Sequence, residues 1–475
     1  MCGIFLYLGH TIHVSKIESA FMKTYKRGPD NNILKSICSN LTFGFHRLSI
    51  MDTSYKGNQP LYHPNKPICV ICNGEIYNYE EIKKKYDIKT YSNSDCEVIL
   101  YLYEKYGINQ TLQILDSESF AFVIYDGRSN CLIVARDRFG VRPLFFSKTK
   151  NNEIIMASEA KSIVELVDKD DIIQQFQPAS WRCYKLDDNG LKEETFYTSY
   201  YNYDWKPERY PVHIKDSTPE DKFNTIISNL RSLLTLSVKK RLVSDRPVGC
   251  LLSGGLDSSL ITALVKKHYT GELKTYSIGM KGSEDLKKAK QVADYLKTTH
   301  TEIIMSDDEF FNSIPEVIKN IESYDTTTVR ASVGNYLIGK YIKQHTDCKV
   351  IFNGDGSDEV MGGYIYFHMA PNPLEFDKEC VRLLKDISYF DVLRSDRSIS
   401  SHGLEARTPF LDRQFVSNYL SIHPDLRDHK HNNKCEKFII RKAVEIYGDN
   451  LLPKKVLWRT KEAFSDGVSK QTKSW

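Results

Sequence analysis

The chain has 475 residues, with 65 lysines and arginines against 61 aspartates and glutamates, a formal net charge of +4. That balance gives no electrostatic case for a nucleic-acid partner, and no apolar run is long enough to cross a bilayer, so neither partner is expected. The length allows two or three domains. The opening Met1-Cys2-Gly3-Ile4 has no basic residues ahead of its apolar ones, so cytoplasmic residence without a secretory signal is the expectation. Eleven scattered cysteines argue against a disulfide framework. Cys69 and Cys72 form a C-x-x-C inside an apolar run that reads as a strand, where positions three apart face opposite ways.

Taken in order, the first part reads mostly as strands: 3–8, 41–50, 68–72, 120–125, 131–135, 143–146 and 153–157. Turn signals such as Arg27-Gly28-Pro29-Asp30, Asn73-Gly74 and Asp126-Gly127 separate them, and helices are expected only over 80–86 and 96–106. This predicts packed, mainly antiparallel sheets. Two prolines and no periodicity over 203–220 mark a linker, giving domains 1–205 and 206–475. Beyond it, helices over 222–242, 286–296, 310–321 and 333–342 alternate with strands over 248–252, 273–278 and 350–352, and the chain is helical again from about Leu374. Alternation of that kind predicts a doubly wound parallel sheet with a helical C-terminal part.

Two stretches leave the C-terminal ends of those strands, where open α/β sheets bind ligands. The first is Val248-Gly249-Cys250-Leu251-Leu252-Ser253-Gly254-Gly255-Leu256-Asp257-Ser258-Ser259. A strand, a small-residue loop and a helix start present bare N–H groups to an anion. No lysine follows the glycines, so this is not a Walker A loop; the hydroxyls and Asp257 suit a pyrophosphate with Mg²⁺ between it and the acid. The second is Asn353-Gly354-Asp355-Gly356-Ser357-Asp358-Glu359. At the other end of the chain, removal of Met1 would make Cys2 the N-terminus, with its own α-amino group as a base for the thiol.

The Ser253–Ser258 loop resembles that of ATP pyrophosphatases, which cleave ATP between the α- and β-phosphates. Cys2-Gly3-Ile4, Arg47-Leu48-Ser49-Ile50, Asn73-Gly74-Glu75-Ile76-Tyr77-Asn78 and Ser94-Asp95-Cys96-Glu97 together resemble the glutaminase domain of N-terminal-nucleophile amidotransferases. With Asp325–Ser332, Gly403–Asp412 and Trp458–Gly467, the whole set is similar to the glutamine-hydrolysing asparagine synthetases. The resemblance implies an N-terminal αββα sandwich of the Ntn-hydrolase type and an ATP-pyrophosphatase-like C-terminal domain.

It also implies roles. Cys2 is the nucleophile. Glutamine is bound by Arg47 at its carboxylate, by Asp95 and Glu75 at its ammonium, and by matching Leu48 and Ile50. Asn73 and Gly74 form the oxyanion hole. Leu251, Ser253, Gly254, Gly255, Asp257, Ser258, Ser259, Ile278, Asn353 and Gly354 match the ATP pocket. Asp257 and Asp358 hold Mg²⁺, Lys461 neutralises charge at phosphorus, and Arg330 contacts phosphate or substrate. The substrates are glutamine, aspartate and ATP, ammonia passes between domains, no tightly bound organic cofactor is needed, and a homodimer is suggested. The alternative is a weak or silent homologue with a regulatory role. The family usually reads Ser-Gly-Glu where this chain has Asn353-Gly354-Asp355. Asp355 keeps the acid one methylene shorter, and a displacement of about 1 Å costs on the order of 10²-fold in rate.

Overall fold

The computed structural model describes residues 1–187, 190–205, 218–446 and 448–459. They divide into two compact units. The first comprises Met1–Asn202, Ser244–Arg246 and Asp396–Glu405; the second comprises Tyr203–Val243, Pro247–Ser395 and the residues from Ala406 on.

The strands of the first unit are β1 (Gly3–Leu8), β2 (Asn31–Cys38), β3 (Leu41–Arg47), β4 (Leu61–Tyr62), β5 (Ile68–Gly74), β6 (Phe120–Asp126), β7 (Cys131–Arg136), β8 (Phe145–Lys148), β9 (Ile154–Ala157), β10 (Gln174–Gln175), β11 (Ser180–Asp187), β12 (Gly190–Glu194) and β13 (Thr198–Ser199). One antiparallel sheet runs β10-β8-β9-β1-β3-β2 and another β12-β11-β7-β6-β5-β4, with β13 beside β11. Alternate residues of both sheets meet in one core: Ile4, Leu6, Phe43 and Phe45 from one, Ile71, Val123, Val134 and Tyr184 from the other. Each such large apolar side chain contributes roughly 1.5–3 kcal/mol on burial. Outside the first sheet, Phe5 and Tyr7 pack on Ile17, Ala20 and Phe21 of α1 (Val14–Met22). Of α2 (Tyr79–Tyr86) and α3 (Val98–Ile114), the latter lies against β5. The layering is therefore α-β-β-α, as expected. Cys69 joins the inter-sheet core and Cys72 does not, and both thiols are free.

In the second unit the strands are β14 (Val248–Leu251), β15 (Lys274–Met280), β16 (Thr299–Met305), β17 (Val350–Phe352) and β18 (Glu405–Arg407), in the order β16-β15-β14-β17-β18. The β16–β15, β15–β14 and β14–β17 pairs are parallel. The helices that wrap this sheet include α4 (Pro219–Lys240), α5 (Leu256–His268), α6 (Glu284–Leu296), α7 (Asp307–Ile321), α8 (Thr326–His345) and the short α9 (Ser357–Met361). Several of their starts are set by side-chain caps: Thr218 and Asp221 form a capping box on α4, and Asp325 accepts the Thr328 N–H on α8.

Several elements differ from expectation: α1, β2, β4 and β10–β13 have no counterpart among the expected elements, and three others differ for physical reasons. The expected helix stops near Tyr106, and a second helical segment runs on to Ile114: Gly107, at φ 72° and ψ 174°, is non-helical and kinks α3 into two pieces. β16 carries little apolar signal because most of its residues are partly or fully exposed. β18 interrupts the helical C-terminal part, and its Glu-Ala-Arg sequence has no strand pattern to read.

Candidate functional site

In the first unit, Cys2 lies half-buried just before β1. The Leu48 N–H donates to its Sγ at 3.4 Å, and Arg27 Nε donates to its carbonyl at 2.9 Å. With Met1 attached, the α-amine donates to Leu404 O at 2.7 Å and burial lowers it to about 5. Burial pushes the Cys2 thiol up to about 12, against the opposing pull of that amine and of Leu48. A thiol in that state is no nucleophile at neutral pH.

Residues 47–58 wrap around one guanidinium. Arg47 donates from Nη1 to Ser54 O at 2.6 Å and Asn58 Oδ1 at 2.7 Å, and from Nη2 to Asp52 O. Leu48 and Ile50 are buried beside it. At the end of β5, Asn73 is fully buried, and neither Nδ2 nor Oδ1 has a hydrogen-bond partner among the described residues. Gly74 follows where a Cβ would stand 2.3 Å from Ser119 O, so the strand end admits only glycine. Asp95 accepts the Ile76 N–H at 2.6 Å, and burial raises its carboxyl to about 6. Glu75 and Arg47 are both electrostatic neighbours of the Cys2 thiol.

The second unit contains a cavity of about 470 Å³ at the C-terminal ends of β14, β15 and β17. It is lined by Leu251, Ser253, Gly255, Asp257, Ser258, Ile278, Asn353, Gly354, Asp355 and Asp358. Gly254 lies behind it with φ 75°, where a Cβ would meet Ala289 N at 2.5 Å. Ser259 is buried in α5, and its hydroxyl has no partner among the described residues. Thr327 and Ala331 of α8 line the cavity, and Arg330 between them does not. Lys461 lies outside the described residues. The N-terminus of α5 has no side-chain cap, so its first N–H groups remain available to an anion.

Lys437, Asp391 and Arg394 of the lining carried no recognisable sequence signal. Lys437, buried and in the left-handed region at φ 58°, reaches both Asp257 and Asp358. Two converging carboxylates of this kind fit Mg²⁺, which binds through one or two acids plus substrate phosphates. Tyr364, Asp391 and Arg394 close another part of the wall, with Tyr364 donating to Glu359 and to Asp391 Oδ2 at 3.2 Å. Arg394 pairs with Asp391. Arg459 donates to Gly254 O at 3.1 Å. It belongs to the Trp458–Gly467 stretch, where sequence reading singled out only Lys461.

Comparison with known proteins is consistent along the chain. The asparagine synthase family profile matches residues 229–375 and 368–474, and the glutamine amidotransferase domain profile matches residues 1–197. The glutamine-hydrolysing asparagine synthetase of Cricetulus griseus is 42% identical, covering 100% of this chain and 86% of its own. That of Homo sapiens is 41% identical with the same coverage, as is that of Gallus gallus.

Proposed function

On the premise that the chain belongs to the glutamine-hydrolysing asparagine synthetase family, we propose that it converts ATP, L-aspartate, L-glutamine and water to AMP, diphosphate, L-asparagine and L-glutamate. The observation that carries this reading is the convergence of the Ser253–Ser258 loop, Asp257, Asp358 and Asp355 on one cavity.

In the first unit, loss of Met1 gives Cys2 a free α-amine that takes the thiol proton. The sulfur then attacks the glutamine amide carbon. Asn73 Nδ2 and the Gly74 N–H receive the oxyanion, and the unpartnered Asn73 amide supports that role, because a donor with no other partner is held ready for developing charge. The proton passes to the departing ammonia, and water releases glutamate from the thioester. Arg47 and Asp95 orient the amino-acid end; Arg47 is held by the carbonyls of residues 52 and 54.

In the second unit, the loop and the α5 N-terminus hold the β- and γ-phosphates. Asp257 and Asp358 would hold Mg²⁺, which would supply charge neutralisation at the phosphate oxygens. The aspartate β-carboxylate attacks the α-phosphorus and pyrophosphate leaves, giving β-aspartyl-AMP. Lys437 is the counter-ion of both acids. Ammonia then displaces AMP. Cytoplasmic residence and a homodimer are part of the same reading.

The test is product identification with labelled aspartate and ATP. AMP, pyrophosphate and asparagine in equal amounts are expected. AMP release that is no faster with aspartate than without it overturns the reading.

A further inference from the structure

We propose that Asn353 is the positioning residue for Asp355, and that the two side chains are matched in length so that a short acid is held at a fixed place in the cavity wall. The proposal rests on the reading above, in which Asp355 faces the aspartyl group.

The geometry leaves Asn353 little freedom. Its Nδ2 donates to Asp355 Oδ2 at 2.7 Å and to Ser395 Oγ at 2.8 Å. Its Oδ1 accepts the Asp355 backbone N–H at 3.3 Å. Its own N–H donates to Arg407 O at 3.1 Å. Both amide hydrogens and one acceptor are thereby engaged, which fixes rotamer and amide orientation together. Asn353 is 5% exposed, so water does not compete well for these bonds.

Asp355 needs such a partner. Its carboxyl is drawn up by burial and by the neighbouring Asp391 and Asp358, and drawn down by Arg394 and Ser395. A buried carboxylate with too few donors is costly and shifts towards the neutral form. The asparagine amide supplies a neutral donor at the oxygen and leaves the cationic Arg394 paired with Asp391.

Length is the second part of the argument. Replacing asparagine by serine shortens the path from backbone to donor by one atom, and replacing aspartate by glutamate lengthens the path to the acceptor by one. The combined span between the two backbones is unchanged when both are made, and wrong when either is made alone. The two side chains are therefore matched in reach as a pair.

Five proteins test this: the parent, Asn353→Ser, Asp355→Glu, the double variant and Ser395→Ala. Ammonia-dependent kcat is expected to fall on the order of 10²-fold in each single variant. Any rise in the KM for ATP should be smaller than the fall in kcat, because the loss is of orientation more than of uniform binding. The double variant should return to within about tenfold of the parent. Ser395→Ala, which removes the other acceptor of the same amide and a donor to Asp355, should also lower kcat. Urea midpoints should follow the same pattern, lower in each single variant and recovered in the double.

An Asn353→Ser variant with unchanged kcat overturns the proposal, as does a double variant whose losses simply multiply. If the parent makes no aspartate-dependent AMP, the reaction reading fails instead. The urea midpoints then still decide the pairing, and additive midpoints reject it.

Discussion

Lys437 Nζ lies 2.7 and 2.8 Å from the two oxygens of Asp257 and 2.6 Å from Asp358 Oδ1. One ammonium thus serves as counter-ion to both acids that the sequence nominates for Mg²⁺. Removing one partner of a buried ion cluster costs about 3–5 kcal/mol because charge is left uncompensated. Lys437→Met is expected to lower the melting temperature in metal-free buffer and to regain most of that loss in millimolar Mg²⁺. Ammonia-dependent synthesis should fall at least tenfold while glutamine hydrolysis persists. Calorimetric melting with and without Mg²⁺ checks this, and equal losses in both buffers would contradict a shared site for the two cations.

Asn73 separates function from stability. Its buried amide is unpartnered among the described residues, and such a group costs about 1–3 kcal/mol. Asn73→Ala should therefore melt no lower than the parent, while glutamine hydrolysis drops about 10²–10³-fold. Ammonia-dependent synthesis should be retained. A melting point several degrees lower would show that the amide has a structural partner.

The state of the N-terminus sets the state of the thiol. With Met1 attached, the thiol lies near 12 and the amine is bound to Leu404 O. Intact-mass measurement on active protein is expected to show Met1 absent. Protein made to retain Met1 should resist alkylation at Cys2 and hydrolyse no glutamine. Cys2→Ala should lose glutamine-dependent synthesis entirely and keep the ammonia-dependent reaction.

Acid sensitivity should begin above the carboxylate range. His46 is fully buried, stacked on Phe21 at 3.8 Å, and burial lowers it to about 4. Glu159 raises it and Arg27 lowers it by smaller amounts. An unfolded histidine titrates near 6.5. Between about 6.5 and 4 the unfolded chain takes up a proton that the folded chain refuses, so stability falls as pH drops through that window. His46→Gln should flatten the urea midpoint between pH 7 and pH 5. An unchanged slope would assign the acid sensitivity to other groups; the buried His429, also lowered to about 4, would be examined next.

The phosphate loop was legible because its signals are local. An apolar run, two glycines and a helix start follow each other without a gap, and the structure folds them as β14, a loop and α5. The same holds for β17 and the Asn353–Glu359 stretch. Strands with one exposed face were harder to read. β2 and β16 present partly exposed residues along their length, so neither a solid apolar run nor a clean alternation appears. Lys437 was invisible for a different reason. Cys435-Glu436-Lys437 has no motif, and the residue reaches the acids only through a left-handed turn ahead of the helix Phe438–Glu445. Charge partners that tertiary folding brings from distant parts of the chain leave no trace in local spacing.

Asp257 and Asp358 each stand in the first turn of the helix that follows a strand, and those strands, β14 and β17, are paired neighbours with Cys250 opposite Phe352. The gap between the two carboxylates is therefore gauged by a hydrogen-bonded backbone ladder rather than by the long excursion through β15, β16, α7 and α8 that separates them in sequence. Surface insertions along that excursion leave the gauge untouched, whereas a one-residue slip between β14 and β17 would pull the acids apart without altering a single side chain.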